Sequence, residues 1–201
     1  TIKFYRDADR NGEPDSNQLV GITPVSDGQW SINLFLTENA DNNFIAIAED
    51  SAGNRALALA IPTITQDVIA PVAPTGTDLA AASDSGSSNS DKLTNIATPS
   101  LSGRSEPNAS ITVTSDLDGI VGMVQADGEG NWSLSLDRLS NGNHQLAVAA
   151  ADAAGNMGEA AAPLAITIDT SAPALSPIAA QRLALGASSP LLPISLSDNL
   201  S

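Results

Sequence analysis

The stretch Gly28-Gln29-Trp30-Ser31 returns 102 residues later as Gly130-Asn131-Trp132-Ser133. The register then holds without a gap. Asp50-Ser51-Ala52-Gly53-Asn54 matches Asp152-Ala153-Ala154-Gly155-Asn156, and Ile64-Thr65-Gln66-Asp67 before Ala70-Pro71 matches Ile166-Thr167-Ile168-Asp169 before Ala172-Pro173. A period this long exceeds an ankyrin, TPR or propeller-blade repeat and is the size of a whole domain. Proline cannot donate to a sheet ladder, so the two Ala-Pro steps are natural boundaries. They divide the chain into residues 1–70, a module lacking its first strands; 71–171, a complete module; and 172–201, the N-terminal part of a third β-sandwich module.

Within the complete module, period-two alternation predicts strands near 76–80, 98–103, 110–114, 120–125, 132–136, 144–150 and 164–168. Ile111 and Val113; Trp132, Leu134 and Leu136; Leu146 and Val148; and Leu164, Ile166 and Ile168 fall on one face and form the predicted core. The alanine-rich run 147–154 could suggest a helix. Its counterpart, Phe44 to Ala48, reads as a strand, and both copies end in the turn signature Ala-Gly-Asn. Seven strands in about 100 residues suit an immunoglobulin-like sandwich. The expected fold class is all-β, with tandem immunoglobulin-like β-sandwich modules.

The charge balance narrows the function. With 23 acidic and 8 basic residues, the net charge is −15. Such a surface repels phosphate backbones, which argues against nucleic acid as a partner. It favours hard cations with oxygen ligands, calcium above all. No apolar run reaches the length of a membrane span, so membrane insertion is not expected. The first residues lack the apolar segment of a signal peptide, which suggests a start within a longer protein. Cysteine is absent, and small exported domains can rely on bound ions instead of disulfides.

Three places have the composition of cation sites. In Asp7-Ala8-Asp9-Arg10-Asn11-Gly12-Glu13-Pro14-Asp15, side-chain oxygens recur at every second residue, with glycine at the sixth place. That is the first half of an EF-hand loop, with Asp7, Asp9, Asn11, Glu13 and Asp15 as candidate calcium ligands. The closing glutamate is missing, because Gln18 stands at the twelfth place. The same residues also suit a hydrophilic hairpin loop without metal. In Ser83 to Asp91, Asp84 and Asp91 could bracket an ion, although the composition is equally that of a linker. Asp67 and Asp169, at the exits of their modules, could join loop carboxylates of a neighbouring module in a junction site. Turn backbones alone can also account for them, as for Asp50, Asn54, Asp152 and Asn156.

Catalysis finds little support. The chain has no His-Glu-x-x-His, no Gly-x-Ser-x-Gly and no phosphate-binding loop. Its one histidine, His144, follows the turn Asn141-Gly142-Asn143 and reads as solvated. Trp30 and Trp132 share one repeat position inside an alternating strand and read as core. Tyr5 and Phe35 have no clear core face.

The segments Thr98 to Val113, Asp127 to Trp132, Ala151 to Asn156 and Ile168 to Pro173 resemble the bacterial Ig-like domains repeated in large secreted surface adhesins of the RTX and biofilm-associated type. The resemblance implies export to the bacterial cell surface, calcium at or near module junctions, and a spacer role holding a distal binding domain away from the cell. It implies neighbouring modules of the same chain as partners, with host or surface glycans or proteins met through distal domains. The expectation is a non-enzymatic stalk stiffened by calcium. The alternative is a module that itself binds carbohydrate or a host protein, in an adhesin or an exported enzyme.

Overall fold

A computed structural model describes residues 1–14, 18–175 and 196–197, and among them every regular element is a strand. The chain divides into two compact units, Thr1–Ile69 and Ala70–Ser201.

The first unit is one four-stranded antiparallel sheet in the order β2-β1-β3-β4, formed by β1 (Ile2–Arg6), β2 (Leu19–Thr23), β3 (Ala40–Ala48) and β4 (Leu59–Gln66). Phe4 faces Ala46 and Arg6 faces Phe44 across β1 and β3, so Phe4 and Phe44 share one buried face. Residues 31–36 alternate as a strand does, with Ile32, Leu34 and Leu36 half-buried and Ser31, Asn33 and Phe35 exposed. Yet they belong to no ladder, and among the described residues no backbone–backbone hydrogen bond involves residues 30–36.

The second unit has both layers of a sandwich. One sheet has the order β10-β7-β5, from β5 (Thr75–Leu79), β7 (Ser100–Arg104) and β10 (Asn131–Ser135). The other has the order β6-β12-β11-β8-β9, from β6 (Leu93–Thr94), β8 (Ser110–Ser115), β9 (Gly119–Gln125), β11 (Gly142–Ala151) and β12 (Leu164–Ile168). Only the β6–β12 pair is parallel among these neighbours. Leu79, Leu101 and Trp132 from the first layer meet Ile111, Val113, Leu146, Val148, Ile166 and Ile168 from the second in one core. Trp132 lies opposite Gly103, where an added Cβ would come within 2.6 Å of the indole. Glycine there is a packing requirement of the tryptophan.

The seven strands expected of this unit are all present, with ends shifted by one or two residues and the two-residue β6 added. Leu134 and Leu164 are only half-buried at the margin of the core. Two expectations are corrected. His144 is fully buried, not solvated, because it shares the inward phase of Leu146 and Val148 on β11. Trp30 is 45% exposed although its repeat partner Trp132 is 4% exposed. The cause is cover: β5 and β7 form the sheet around Trp132, whereas no counterpart to them lies among the described residues of the first unit. Trp30 is left with a tilted contact to Phe4, 5.2 Å between ring centroids.

Beyond Ile168, β13 (Ala174–Leu175) pairs antiparallel with β14 (Leu196–Ser197). The rest of the expected third module lies outside the described residues.

Candidate functional site

The loop between β5 and β6 folds on its own side chains. Ser83 and Asp84 are buried, and the Ser83 hydroxyl accepts the Ser100 N–H at 2.9 Å. Asp84 Oδ2 accepts the Lys92 N–H at 3.2 Å, and Asp91 Oδ1 accepts the Leu93 N–H at 3.1 Å. Asp91 also lies near Gly86, since a Cβ built there would stand 3.2 Å from Asp91 Oδ1. The other oxygen of Asp84, Oδ1, is buried with no hydrogen-bond partner in the structure. Burying a carboxylate is costly unless its charge is matched, so an orphaned oxygen at a 5% exposed residue fits a cation ligand. The nearby Lys92 ammonium is engaged elsewhere, in an ion pair with Asp78 that holds the Asp78 carboxyl below its usual range.

Parallel pairing of β6 with β12 brings the module's exit to the same end. Thr94 C=O accepts the Asp169 N–H at 2.9 Å. Asp169 and Ser85, Gly86, Leu93, Thr94 and Asn95 line a hollow of about 180 Å³. Asp169 Oδ1 accepts the N–H of Ser171 at 3.0 Å. The fold therefore gathers Asp84 and Asp91 of one sequence motif and Asp169 of another around one end of the second unit. Among the described residues, no three His, Cys, Asp or Glu side chains converge as a ready-made metal cage. A cation at this end would take two carboxylates at most, with neutral oxygens completing its shell.

The EF-hand-like loop has another character. Asp7 Oδ1 and Oδ2 accept the N–H groups of Asn11 and Gly12 at 3.0 and 3.2 Å. Asp9 accepts the Asn11 backbone and side-chain N–H groups at 3.3 and 2.8 Å, and Asn11 Oδ1 accepts the Glu13 N–H at 2.7 Å. These oxygens organise the turn, as Asx residues do without metal. Asp15 lies outside the described residues. Asp67 follows β4, with Oδ1 accepting the Ile69 N–H at 2.9 Å, and it lines a hollow with Asn39, Asp41 and Thr65. Asp41 is held below the usual carboxylate range by the Thr65 hydroxyl and Arg10.

The matched turns are alike to the atom. Asp50 Oδ1 accepts the N–H groups of Ala52 and Asn54, and Asp152 Oδ1 those of Ala154 and Asn156. The side-chain amides of Asn54 and Asn156 reach the remaining oxygens at 2.7 and 2.8 Å. Those amide bonds are the largest cause of the lowered pKa of each aspartate. Turn stabilisation alone accounts for both.

One buried pair escaped the sequence reading. Asn42 and His144, 102 residues apart, are both fully buried. Asn42 Oδ1 accepts from Thr37 N–H and Arg6, while its Nδ2 donates to Thr37 C=O and Ala40 C=O. His144 Nε2 meets Ser140 C=O at 2.8 Å and Nδ1 meets the Ser115 hydroxyl at 2.8 Å. Each ties the loop before its strand to the neighbouring β1 or β8. The available signal was phase, because each stands two residues before an inward-facing apolar residue, Phe44 or Leu146.

Comparison with known proteins agrees with this architecture. Residues 71–170 match the family model described as bacterial Ig-like domain. No curated protein matches the chain. Among solved structures, the chain is similar to a tetra-tandem repeat in the extending region of a large adhesion protein, at 22% identity over 87% of this chain and 43% of that one, with a TM-score of 0.41. It is similar to the chicken CNTN1 FN1-FN3 domains at 14% identity over 84% of this chain and 53% of that one, with a TM-score of 0.51. It is also similar to the BSP domain of a biofilm associated protein, at 12% identity over 86% of this chain and 26% of that one, with a TM-score of 0.34. This chain thus spans about half or less of each of those proteins. Residues 71–170, which form the two-layered sandwich of the second unit, belong to the bacterial Ig-like domain family.

Proposed function

We propose that the chain is a spacer segment of a bacterial surface adhesin, outside the cell, with its modules stiffened by calcium. The observation that supports a spacer is the domain-sized repeat itself: two units built from one pattern, whose matched turns serve their own folding rather than a shared cleft. Short joints between small sandwiches leave them free to swivel, and a cation held where modules meet removes that freedom. Asp84 and Asp91 would hold calcium in the second unit, with Asp169 at the same end. Asp67 and Asp169 are assigned to joints with neighbouring modules, and Asp7, Asp9, Asn11, Glu13 and Asp15 to a loop site.

The calcium part rests on Asp84 Oδ1, the buried carboxylate oxygen without a partner. A divalent ion would supply the positive charge that this oxygen lacks. Asp84 and Asp91 would then neutralise it while keeping their bonds to the β6 backbone.

Thermal unfolding in calcium and in excess chelator tests this, together with small-angle scattering in both. Calcium at about 100 times its dissociation constant should raise stability by about 2.7 kcal/mol. Asp84→Asn should abolish that rise and should not lower stability in chelator, since it removes an uncompensated buried charge. Identical melting and scattering with and without calcium would reject the stiffened stalk. A calcium effect untouched by Asp84→Asn would move the site to another loop.

A further inference from the structure

We propose that each unit clamps the chain as it leaves, with Asn39 and Asn141 as the positioning residues, so that bending between modules is confined to the Ala-Pro step that follows. The clamp uses only the chain's own hydrogen bonds and needs no cation. Its use in a stalk rests on the spacer reading, whereas the clamp itself can be tested without it.

Three observations carry it. First, the same bonds hold both exits, 102 residues apart. Asn39 Oδ1 accepts the Val68 N–H at 2.9 Å, and Asn141 Oδ1 accepts the Thr170 N–H at 3.3 Å and the Thr170 hydroxyl at 2.8 Å. One residue further on, Asp67 Oδ1 accepts the Ile69 N–H as Asp169 Oδ1 accepts that of Ser171. The Asn141 amide also donates to the Ser171 hydroxyl at 3.0 Å. Each asparagine immediately precedes the long strand, β3 or β11, that pairs with the last strand of its unit, β4 or β12. It therefore ties the departing chain back to the sheet that the chain has just left.

Second, packing does not hold these exits. Val68 is 51% and Ile69 63% exposed, and Thr170 and Ser171 are exposed as well. Segments beyond the last strand fray unless something ties them down, and here side-chain oxygens do so.

Third, the residues after the first exit are seated in the second unit. Val72 N–H donates to Glu106 Oε1 at 3.0 Å. Pro71 is buried, with its carbonyl so close to Gly158 that an added Cβ there would stand 2.2 Å away. Ala70 lies between the two holds, and among the described residues none forms a hydrogen bond with it. The proline fixes its own φ and keeps Ala70 in extended backbone, so the step has few soft dihedrals left. Ala172-Pro173 repeats it after the second exit.

The test is ¹⁵N relaxation of the full chain in excess chelator. Order parameters of Val68, Ile69, Thr170 and Ser171 should match those of β4 and β12, at about 0.85. Asn39→Gly keeps the left-handed backbone of residue 39, at φ 54°, but removes the acceptor. It should drop Val68 and Ile69 below about 0.6 while β3 and β4 stay rigid. Asn141→Ala should do the same to Thr170 and Ser171, independently of the first unit. Asn39→Asp and Asn141→Asp retain an acceptor oxygen and should keep the exits rigid. The proposal is overturned if the exit amides of the unaltered chain already lie below about 0.6. It is likewise overturned if both Asn39→Gly and Asn141→Ala leave them unmoved, or if the aspartate variants loosen them as fully. Exits that behave as expected while melting ignores calcium would uphold the clamp and reject the calcium-stiffened stalk alone.

Discussion

Trp30 and Trp132 stand at one position of one repeat, yet the first is half in solvent and the second is buried. The residues around them are similar, so the difference does not come from local sequence. It comes from whether a second sheet is present to cover the indole. The second unit closes β10, β7 and β5 over its five-stranded sheet, whereas the described residues of the first unit form a single sheet and a segment, 30–36, that joins no ladder. A strand pattern states which side chains face inward. Only the partner strand decides whether inward means dry.

The sharpest way to break this comparison is to truncate both tryptophans. Trp132→Ala should cost the second unit about 3–5 kcal/mol in urea unfolding followed by its own amide signals. Trp30→Ala should cost the first unit about 1 kcal/mol or less, because much of its ring is already hydrated. Equal costs would mean that the first unit is closed by something other than a second sheet. Next in size is Gly103→Val, which overfills the contact with Trp132 and should cost about 1–3 kcal/mol by the same measurement.

Asn42 and His144 sharpen the comparison from its polar side. His144→Leu should cost about 1–3 kcal/mol, since it strands the carbonyl of Ser140 and the hydroxyl of Ser115. Asn42→Leu should cost more within that range, because it strands four partners on three residues around the first sheet, Arg6, Thr37 and Ala40. Reversal of that order would show that volume, not hydrogen bonding, governs these sites.

The smallest effect is that of pH, and it should be alike in both units. Asp50 and Asp152 have lowered pKa values because Asn54 and Asn156 bond to their charged forms. Asp127 is lowered by the Asn131 N–H, and Glu49 by Lys3 and Arg55. A carboxyl depressed in the folded state contributes stability above its unfolded pKa and loses it as pH falls through the folded value. The melting temperature should therefore fall in acid, below the ordinary carboxylate values of 3.8 and 4.5. Asp152→Asn should flatten that fall slightly in the second unit alone.

How much of this could be read from the chain depends on how local each cause is. The seven strands of the complete module were legible because alternation is written into consecutive residues, as in Trp132, Leu134 and Leu136. The two-residue β6 was not, for Leu93 and Thr94 end a run of Ser, Asn and Asp that carries no period. His144 was misread because a turn precedes it, although its phase with Leu146 and Val148 placed it inside. Trp30 was misread because repetition of sequence was taken for repetition of cover. In the Ser83–Asp91 loop, the acidic residues were visible, but burial of one oxygen of Asp84 depends on the chain returning from Ser100 and Lys92.

The parallel pairing of β6 with β12 sets how the second unit would bear a load. β6 continues to the entry side of the unit through β5, and β12 leads directly to its exit. Tension drawn through the chain pulls these two neighbours from opposite ends, along their own length. The bonds from Thr167 N–H to Lys92 C=O and from Asp169 N–H to Thr94 C=O are then loaded together in shear, not opened one after another as in a zipper. The loop that gathers acidic side chains beside that pair is the link through which tension on β5 would be passed to β6.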